Sequence, residues 1–193
     1  LQIIQDAEES GQLKPGGTLL EATSGNTGMA VASIAAVRGY KAVLVMSEIQ
    51  SVERRQIMRA YGAELILTPA AEGTKGARNR LKEILKEHPD YFYIGQHVNP
   101  NNPASHYKST GPEIWQQTDG GITHFVSAMG TTGTIMGVSR YLKEVNPAVQ
   151  IVGVQPEEGS SIPGIRRWPE AYLPKIFQRE SVDREMDISQ QLA

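Results

Sequence analysis

The sequence predicts an α/β protein in which helices cover both faces of mostly parallel sheets. Short apolar runs rich in β-branched residues alternate with amphipathic helical stretches along most of the chain. Glycine or proline stands at many of the junctions between them. Two junctions from strand to helix carry glycine and hydroxyl residues, the first loop at residues 23–28 (TSGNTG) and the second loop at residues 130–134 (GTTGT). This alternation is typical of a doubly wound, three-layer α/β/α architecture.

The first half of the chain follows this pattern closely. Strands are expected at residues 18–21, 41–46 and 63–67. Helices are expected at residues 1–10, 27–37, 51–61 and 74–88. Ser51 is a typical N-cap residue, while Gly39 and Gly62 can end helices in the left-handed conformation. Pro89 stops the last of these helices, because the residue before a proline disfavours helical backbone.

Residues 95–112 interrupt the pattern, because asparagine and proline are concentrated between residues 99 and 103. We expect a turn-rich crossing there. A lobe boundary after residue 97 then divides the chain into lobes at residues 1–97 and 98–193. The pattern resumes with helices at residues 112–117 and 135–145 and strands at residues 124–127 and 150–154. Beyond Pro156, a composition rich in glycine, proline and arginine predicts surface loop.

Composition excludes several classes of function. The chain has 193 residues, a formal net charge of −2 and no cysteine. The near-neutral charge argues against a nucleic-acid partner, and the lack of cysteine excludes disulfides and thiolate metal sites. The sequence has no apolar run approaching the roughly 20 residues that span a bilayer. We therefore expect a cytoplasmic protein with no metal, membrane or nucleic-acid partner.

The two ends of the sequence lack the usual marks of chain ends. Residues 1–10 match the middle and end of an amphipathic helix, with no initiating methionine and no N-cap residue before them. Residues 187–193 also stop without an evident structural end. We expect the chain to be the interior of a longer polypeptide.

The second loop is predicted to bind an anion. Backbone N–H groups at the start of a helix lack partners within the helix and carry partial positive charge, and threonine hydroxyls add further donors. No Gly-x-x-x-x-Gly-Lys-Ser/Thr string occurs in the chain, which argues against a nucleoside triphosphate. A loop without a neighbouring lysine suits one monophosphate group. The alternative is a helix cap whose glycines serve packing, and spacing alone leaves both open.

The first loop differs because it contains an amide, Asn26. An amide there can donate to a ring oxygen or phenolate while its neighbours hold a carboxylate. The alternative is an asparagine that tolerates a left-handed turn.

Five strings together carry a resemblance to a known family. They are EATSGNTG at 21–28, MRAYGAELIL at 58–67, TGPEIWQQT at 110–118, GTTGT at 130–134 and QPEEGSSIPGIRRWP at 155–169. On these strings, the chain resembles the fold-type II, pyridoxal-phosphate-dependent β-replacement enzymes of the cysteine synthase family, over essentially its whole length. The first and fourth strings are the most specific to the family, and the last favours its B-type branch. The resemblance implies two lobes, each with a mostly parallel sheet flanked by helices.

The resemblance also assigns roles to residues. The residues implied to bind pyridoxal 5'-phosphate are Asn26, Gly130, Thr131, Thr132, Gly133 and Thr134. The residues implied to bind the substrate α-carboxylate are Thr23, Ser24, Thr27 and Gln96. In this assignment Asn26 bonds the cofactor ring hydroxyl, and Thr132 contributes its backbone N–H to the phosphate site. The lobe of residues 1–97 would be the small, mobile lobe with the carboxylate loop, and residues 98–193 the large lobe with the phosphate loop.

In the implied reaction, sulfide replaces the acetoxy group at Cβ of O-acetylserine and gives cysteine and acetate. In the B-type branch thiosulfate can take the place of sulfide and gives S-sulfocysteine. The family is usually homodimeric. Its Schiff-base lysine stands in a Lys-Asp-Arg string, and no lysine of this chain lies in such a string. We expect that lysine upstream of Leu1, and no catalytic residue is assigned within the chain.

Two other interpretations remain open at this point. One is a lysine-less protein, or an inactive fragment, that binds pyridoxal phosphate or a carboxylate as a sensor. The other is a scaffold that binds the C-terminal carboxylate of a partner protein in the first loop. Arg166 and Arg167 are open between contact with an anionic substrate and an ordinary solvated pair.

Overall fold

The computed structural model describes residues 1–160, 162, 165–169 and 173–193. The chain forms two compact units, Leu1–Gly95 and Gln96–Ala193, which we call the N-terminal and C-terminal units. None of the helices in the described part of the chain combines the length and apolarity needed to cross a membrane.

The N-terminal unit is built around one parallel sheet. Its helices are α1 (Gln2–Glu9), α2 (Asn26–Arg38), α3 (Val52–Ala60) and α4 (Gly73–Glu87). Its strands are β1 (Thr18–Ala22), β2 (Lys41–Ser47), β3 (Glu64–Thr68) and β4 (Phe92–Tyr93). The strand order is β3-β2-β1-β4, and every adjacent pair is parallel. The predicted elements of this half are thus confirmed within about two residues at each end.

The ends of the helices have the local causes that the sequence indicated. Gly39 follows α2 with φ 74°, and Gly62 lies just beyond α3 with φ 83°, both in the left-handed region that favours glycine. The Ser51 hydroxyl accepts the backbone N–H of Arg54 at 3.3 Å and so caps α3.

The sheet of the N-terminal unit is buried on both faces. Because successive strand residues point to opposite faces, Leu19 and Leu20 of β1 enter different cores. Leu19 packs with Leu44 and residues of α2, and Leu20 packs with Val43 and residues of α4. A sheet between two apolar layers is the three-layer architecture that the sequence predicted.

The C-terminal unit has a second parallel sheet. Its helices are α5 (Asn101–Lys108), α6 (Thr110–Gln117) and α7 (Gly133–Val145). Its strands are β5 (His124–Ala128), β6 (Gln150–Pro156) and β7 (Arg184–Ile188), in the order β5-β6-β7. Ile151 of β6 and Val138 and Leu142 of α7 are fully buried in the core beneath it.

Two predictions about this half were wrong. Residues 95–112 were expected to be turn-rich, yet α5 occupies residues 101–108. The Asn99 side chain accepts the Asn101 N–H at 3.0 Å, and Pro103 lies in the first turn, where a missing N–H costs no helical bond. Residues beyond Pro156 were expected to be loop, yet β7 adds a strand to the sheet. Its charged, exposed side chains lack the apolar pattern by which strands are recognised.

Asp183 fastens the start of β7 to the rest of the unit. Its carboxylate accepts the Ile151 N–H at 2.7 Å and pairs with Lys143 of α7 at 2.8 Å. The hydrogen bond from Lys143, followed by that from Ile151, lowers the pKa of Asp183 below its ordinary value.

We expect the D183N variant to be less stable than the wild type at pH 7. The folded-state pKa of Asp183 is lowered, so the ionised carboxylate stabilises the folded protein. This stabilisation is fully present above the unfolded-state pKa and is lost as the pH falls through the folded-state pKa. The difference in unfolding free energy between the wild type and D183N should therefore shrink below about pH 4. Urea denaturation at several pH values measures it. The control D90N, at an exposed turn, should change stability little, and a D183N deficit that persists unchanged at pH 2 would contradict the assignment.

Candidate functional site

The first loop connects β1 to α2 at the carboxyl edge of the N-terminal sheet. The Thr23 N–H donates to the Val45 carbonyl of β2 at 3.0 Å, which anchors the start of the loop. Gly25 occupies the N-cap position of α2, so no side chain caps this helix among the described residues, and its first turn contains no acidic residue. The positive end of the helix dipole is therefore not neutralised by a local carboxylate.

The four predicted residues of the first loop all lie around this helix end. Thr23, Ser24 and Thr27 are half-buried, and Asn26 is exposed in the first turn of α2. Because Asn26 is helical, the alternative of a left-handed turn residue does not apply to it. The Ser24 carbonyl also accepts Arg54 Nη1 of α3 at 3.4 Å.

Gly28 allows the loop to rest on a buried methionine. A Cβ at Gly28 would lie 2.7 Å from Met58 Cε and 3.0 Å from Thr23 Cγ2, and Met58 is fully buried. The glycine is therefore required by its close packing against Met58 and Thr23.

A buried carboxylate that was not predicted from the sequence lies just before the first loop. Glu21 is 1% exposed, and its Oε1 accepts the N–H of Ala22 at 2.9 Å. Burial, followed by the negative charge of Glu21, raises the pKa of Tyr93 to about 12, although Arg78 opposes this. The polar group of Glu21, Tyr93 and Arg78 thus supports the end of β1. Glu21 could have been noticed in the sequence as a charged residue within an otherwise apolar strand.

The second loop lies at the carboxyl edge of the C-terminal sheet. The Met129 N–H donates to the Val154 carbonyl at 2.9 Å, and α7 begins four residues later at Gly133. Thr132 is the N-cap residue, with a left-handed φ of 69° that is uncommon for a β-branched residue. It is 4% exposed, and its hydroxyl has no hydrogen-bond partner within the described ranges. A buried hydroxyl without a partner at a helix N-terminus fits a bound anion that would accept its proton.

Asn102 of α5 joins two of the predicted site residues. Its Nδ2 donates to the Gln96 carbonyl at 2.7 Å and to Thr131 Oγ1 at 3.2 Å. A Cβ at Gly133 would overlap the Asn102 carboxamide, so the glycine creates the space for it. Asn102 was missed because α5 was not predicted, and no local motif marks it.

Thr134 and Gly130 each have a partner from elsewhere in the unit. Thr134 is exposed, and its hydroxyl lies 3.3 Å from His106 Nε2 of α5. The Gly130 carbonyl accepts Trp168 Nε1 at 2.7 Å. The five residues of the second loop and Gln96 are thus brought together in the C-terminal unit.

The two arginines of the last string have different surroundings. Arg167 pairs with Asp187 at 2.7 Å and donates to the Pro156 carbonyl at 3.1 Å, so it is part of the strand edge. Arg166 Cζ lies 5.9 Å from the centroid of the Trp168 ring, and the backbone N–H of Arg166 donates to the Met129 carbonyl at 3.2 Å. Ser161, Pro163 and Gly164 of this string lie outside the described residues.

No lysine of the chain has the buried position of a reactive amine. All lysines are exposed except Lys143, which is half-buried and paired with Asp183. Across the described ranges, histidine and acidic side chains do not gather in groups of three or more that could hold a metal ion.

The chain matches one protein family over nearly its whole length. A family model described as "Pyridoxal-phosphate dependent enzyme" matches residues 1–186. The chain is 60% identical over 190 residues to cysteine synthase B of Pseudomonas aeruginosa and 57% identical over 190 residues to cysteine synthase B of Escherichia coli. These matches cover 98% of this chain and 63% and 62% of the relatives.

A solved structure is similar over the same extent. The crystal structure of a cysteine synthase from Entamoeba histolytica aligns with a TM-score of 0.92 and 41% sequence identity, covering 98% of this chain and 58% of that one. The chain thus spans less than two thirds of the length of these proteins.

We expect G133A to damage the second loop, because the added Cβ would displace the Asn102 carboxamide and with it Thr131. Overpacking of this kind costs about 1–3 kcal/mol. Chemical denaturation and binding of inorganic phosphate measure the two effects. The comparison variant is G25A, where a Cβ would meet nothing within 4 Å and φ is −112°, so it should lose only the small difference between glycine and alanine at an N-cap and keep its phosphate affinity. Equal stability and phosphate affinity in G133A and the wild type would contradict the packing argument.

Proposed function

Because the chain belongs to the family of pyridoxal-phosphate dependent enzymes, we propose that it serves a β-replacement that uses this cofactor. The proposed reaction converts O-acetylserine and sulfide, or thiosulfate, to cysteine, or S-sulfocysteine, and acetate. The observation that carries the proposal is the second loop. Its partnerless buried hydroxyl at the start of α7 fits a monophosphate, in a chain that is 60% identical to a cysteine synthase B.

In this proposal the second loop holds the cofactor phosphate. The backbone N–H groups at the start of α7 point toward the anion, and the helix dipole favours its negative charge. The hydroxyls of Thr131, Thr132 and Thr134 add donors. Asn102 fixes Thr131 from behind, so this hydroxyl is oriented before the phosphate arrives.

The first loop, in turn, holds the α-carboxylate of the substrate and the ring of the cofactor. The start of α2 has no acidic residue in its first turn and no capping side chain among the described residues, so its N–H groups suit a carboxylate. Thr23, Ser24 and Thr27 supply hydroxyl donors, and the Asn26 amide donates to the ring hydroxyl. Gln96, which is 7% exposed, adds an amide donor for the carboxylate.

When bound, pyridoxal phosphate is an electron sink that makes the Cα proton of an amino acid acidic. The protein's contribution in this chain is to bind and orient. The lysines of the chain are exposed, apart from half-buried Lys143, and so lack the desolvated surroundings of a proton-transferring amine.

Assembly and location are proposed on the resemblance alone. We propose a cytoplasmic homodimer that acts on small molecules. Light scattering on the purified protein tests this, because a dimer has twice the mass of a monomer.

A sensor is the second candidate function. The exposure of the lysines favours it, because it would need ligand binding without proton transfer. Such a protein would bind pyridoxal phosphate or O-acetylserine and release no product. The scaffold interpretation has no comparable support from the described residues.

The visible absorption spectrum of the purified protein, before and after O-acetylserine, tests the proposal. An enzyme of this kind should show a cofactor band that shifts on addition of O-acetylserine and returns when sulfide is added, with cysteine released. Binding of the cofactor without a shift or product would favour the sensor. No cofactor binding at all would refute both.

We expect T132V to bind pyridoxal phosphate more weakly without losing stability. The hydroxyl has no protein partner to lose, and its replacement by a methyl group removes a buried unsatisfied donor. Loss of one hydrogen bond to a charged group is worth about 1.5–3 kcal/mol, so the Kd should rise about ten-fold or more. Fluorescence titration and thermal unfolding measure the two quantities.

The control T68V changes a buried threonine whose hydroxyl does have a partner, the Met46 carbonyl at 3.5 Å. T68V should lose stability and keep its cofactor affinity. A T132V protein with unchanged affinity would exclude the Thr132 hydroxyl from the phosphate site.

A further inference from the structure

Helix α5 approaches the start of α7 along a line of small and polar residues. Gly133 and Gly137 lie one turn apart on α7. A Cβ at Gly137 would overlap the Pro103 carbonyl and lie 2.6 Å from His106 Cβ, just as a Cβ at Gly133 would overlap Asn102. Asn102 and His106 are likewise one turn apart on α5, so they share a face. That face lies against the second loop, where Asn102 bonds Thr131.

His106 bridges two threonine hydroxyls across this interface. Its Nδ1 lies 2.9 Å from Thr110 Oγ1, and its Nε2 lies 3.3 Å from Thr134 Oγ1. The ring is half-buried, and burial lowers its pKa below the ordinary value, so it is neutral at pH 7. A neutral imidazole has one donor nitrogen and one acceptor nitrogen.

The tautomer decides where the Thr134 proton points. If Nε2 accepts, the single proton of the Thr134 hydroxyl is used by His106 and cannot reach a phosphate. If Nε2 carries the proton and donates, the Thr134 oxygen accepts it, and its own proton is available for the anion. In that case Nδ1 accepts the proton of the Thr110 hydroxyl.

We propose that His106 is a positioning residue of the phosphate site, which holds Thr134 with its hydroxyl proton directed at the cofactor phosphate. Thr110 donates to Nδ1, Nε2 donates to Thr134, and Thr134 donates to the phosphate. The inference rests on the proposed function and deepens it, since it adds a residue that acts on the phosphate through another residue. It requires His106 to be the Nε2-protonated tautomer.

Two substitutions separate the nitrogens of His106. Asparagine places a polar group near the position of Nδ1, and glutamine places one near that of Nε2, so H106N retains the Thr110 contact and H106Q the Thr134 contact. The Kd of each variant is measured by fluorescence titration for pyridoxal phosphate and for pyridoxal, which lacks the phosphate.

We expect H106N to raise the Kd for pyridoxal phosphate about ten-fold and to leave that for pyridoxal unchanged. H106Q should restore most of the preference for the phosphorylated form. The control H124N makes the same change at an exposed histidine whose ring nitrogen contacts the adjacent Thr123, and both Kd values should stay at the wild-type level.

The possible outcomes distinguish this inference from the proposed function. If the wild type binds pyridoxal phosphate and H106N binds it equally well, His106 is not a positioning residue and the proposed function stands. If H106N weakens both ligands alike, the role of His106 is structural and the inference is wrong. If the wild type binds neither ligand, the proposed function fails and the inference fails with it.

A measurement on the unaltered protein tests the tautomer directly. In ¹⁵N NMR of the histidine side chains at pH 7, His106 should show a protonated Nε2 and an unprotonated Nδ1, with its signals assigned by elimination in H88N, H97N and H124N, the variants of the other three histidines. A protonated Nδ1 would overturn the inference even if the variants failed to fold.

Discussion

The close packing of α5 against α7 is the constraint on which the second loop depends. Gly133 and Gly137 have no side chains, so α7 contributes none to this part of the interface. The side chains of Asn102 and His106 on α5 occupy the space instead. With larger residues on α7 the helices would stand farther apart, because interaxial distance follows the side chains at the contact. Neither polar side chain would then reach the hydroxyls of Thr131 or Thr134. Packing between two helices therefore sets the polar geometry of the loop.

The first loop also packs at a glycine, but its neighbour there is an apolar side chain and not a polar one. Gly28, in the first turn of α2, admits the fully buried Met58 as Gly133 admits Asn102. The Met58 thioether and the Thr23 methyl group both lie close to the position that a Gly28 Cβ would take, so apolar packing fills the space beside the first loop. Asn102 holds Thr131 by a hydrogen bond, and its direction matters. The second loop therefore has the more directional support of the two, which suits the resident cofactor phosphate that we propose there better than the exchanging substrate that we propose for the first loop.

The fold was largely predictable where sequence pattern and local end signals agree. Strands β1 and β2 are apolar and β-branched, and α3 has both its cap at Ser51 and its stop at Gly62. Helix α5 was missed because its prolines resemble a turn, and β7 because a charged edge strand lacks the apolar signal. The two loops were recognisable from glycines and hydroxyls near each other in sequence. The residues that bond the second loop, Asn102 and His106, lie about 30 residues before it and follow no local rule.

If the second loop binds the cofactor phosphate as proposed, its electrostatics explain why the orientation of its donors matters. The N-terminus of α7 supplies about half a positive charge, whereas a phosphate monoester carries about 1.5–2 negative charges near pH 7. The first turn of α7 and the loop before it contain no lysine or arginine to supply the remainder. Directed hydrogen bonds must therefore contribute much of the stabilisation, and a hydroxyl contributes only when its single proton points at the anion. A neutral histidine that settles the direction of one such proton then influences affinity without touching the ligand.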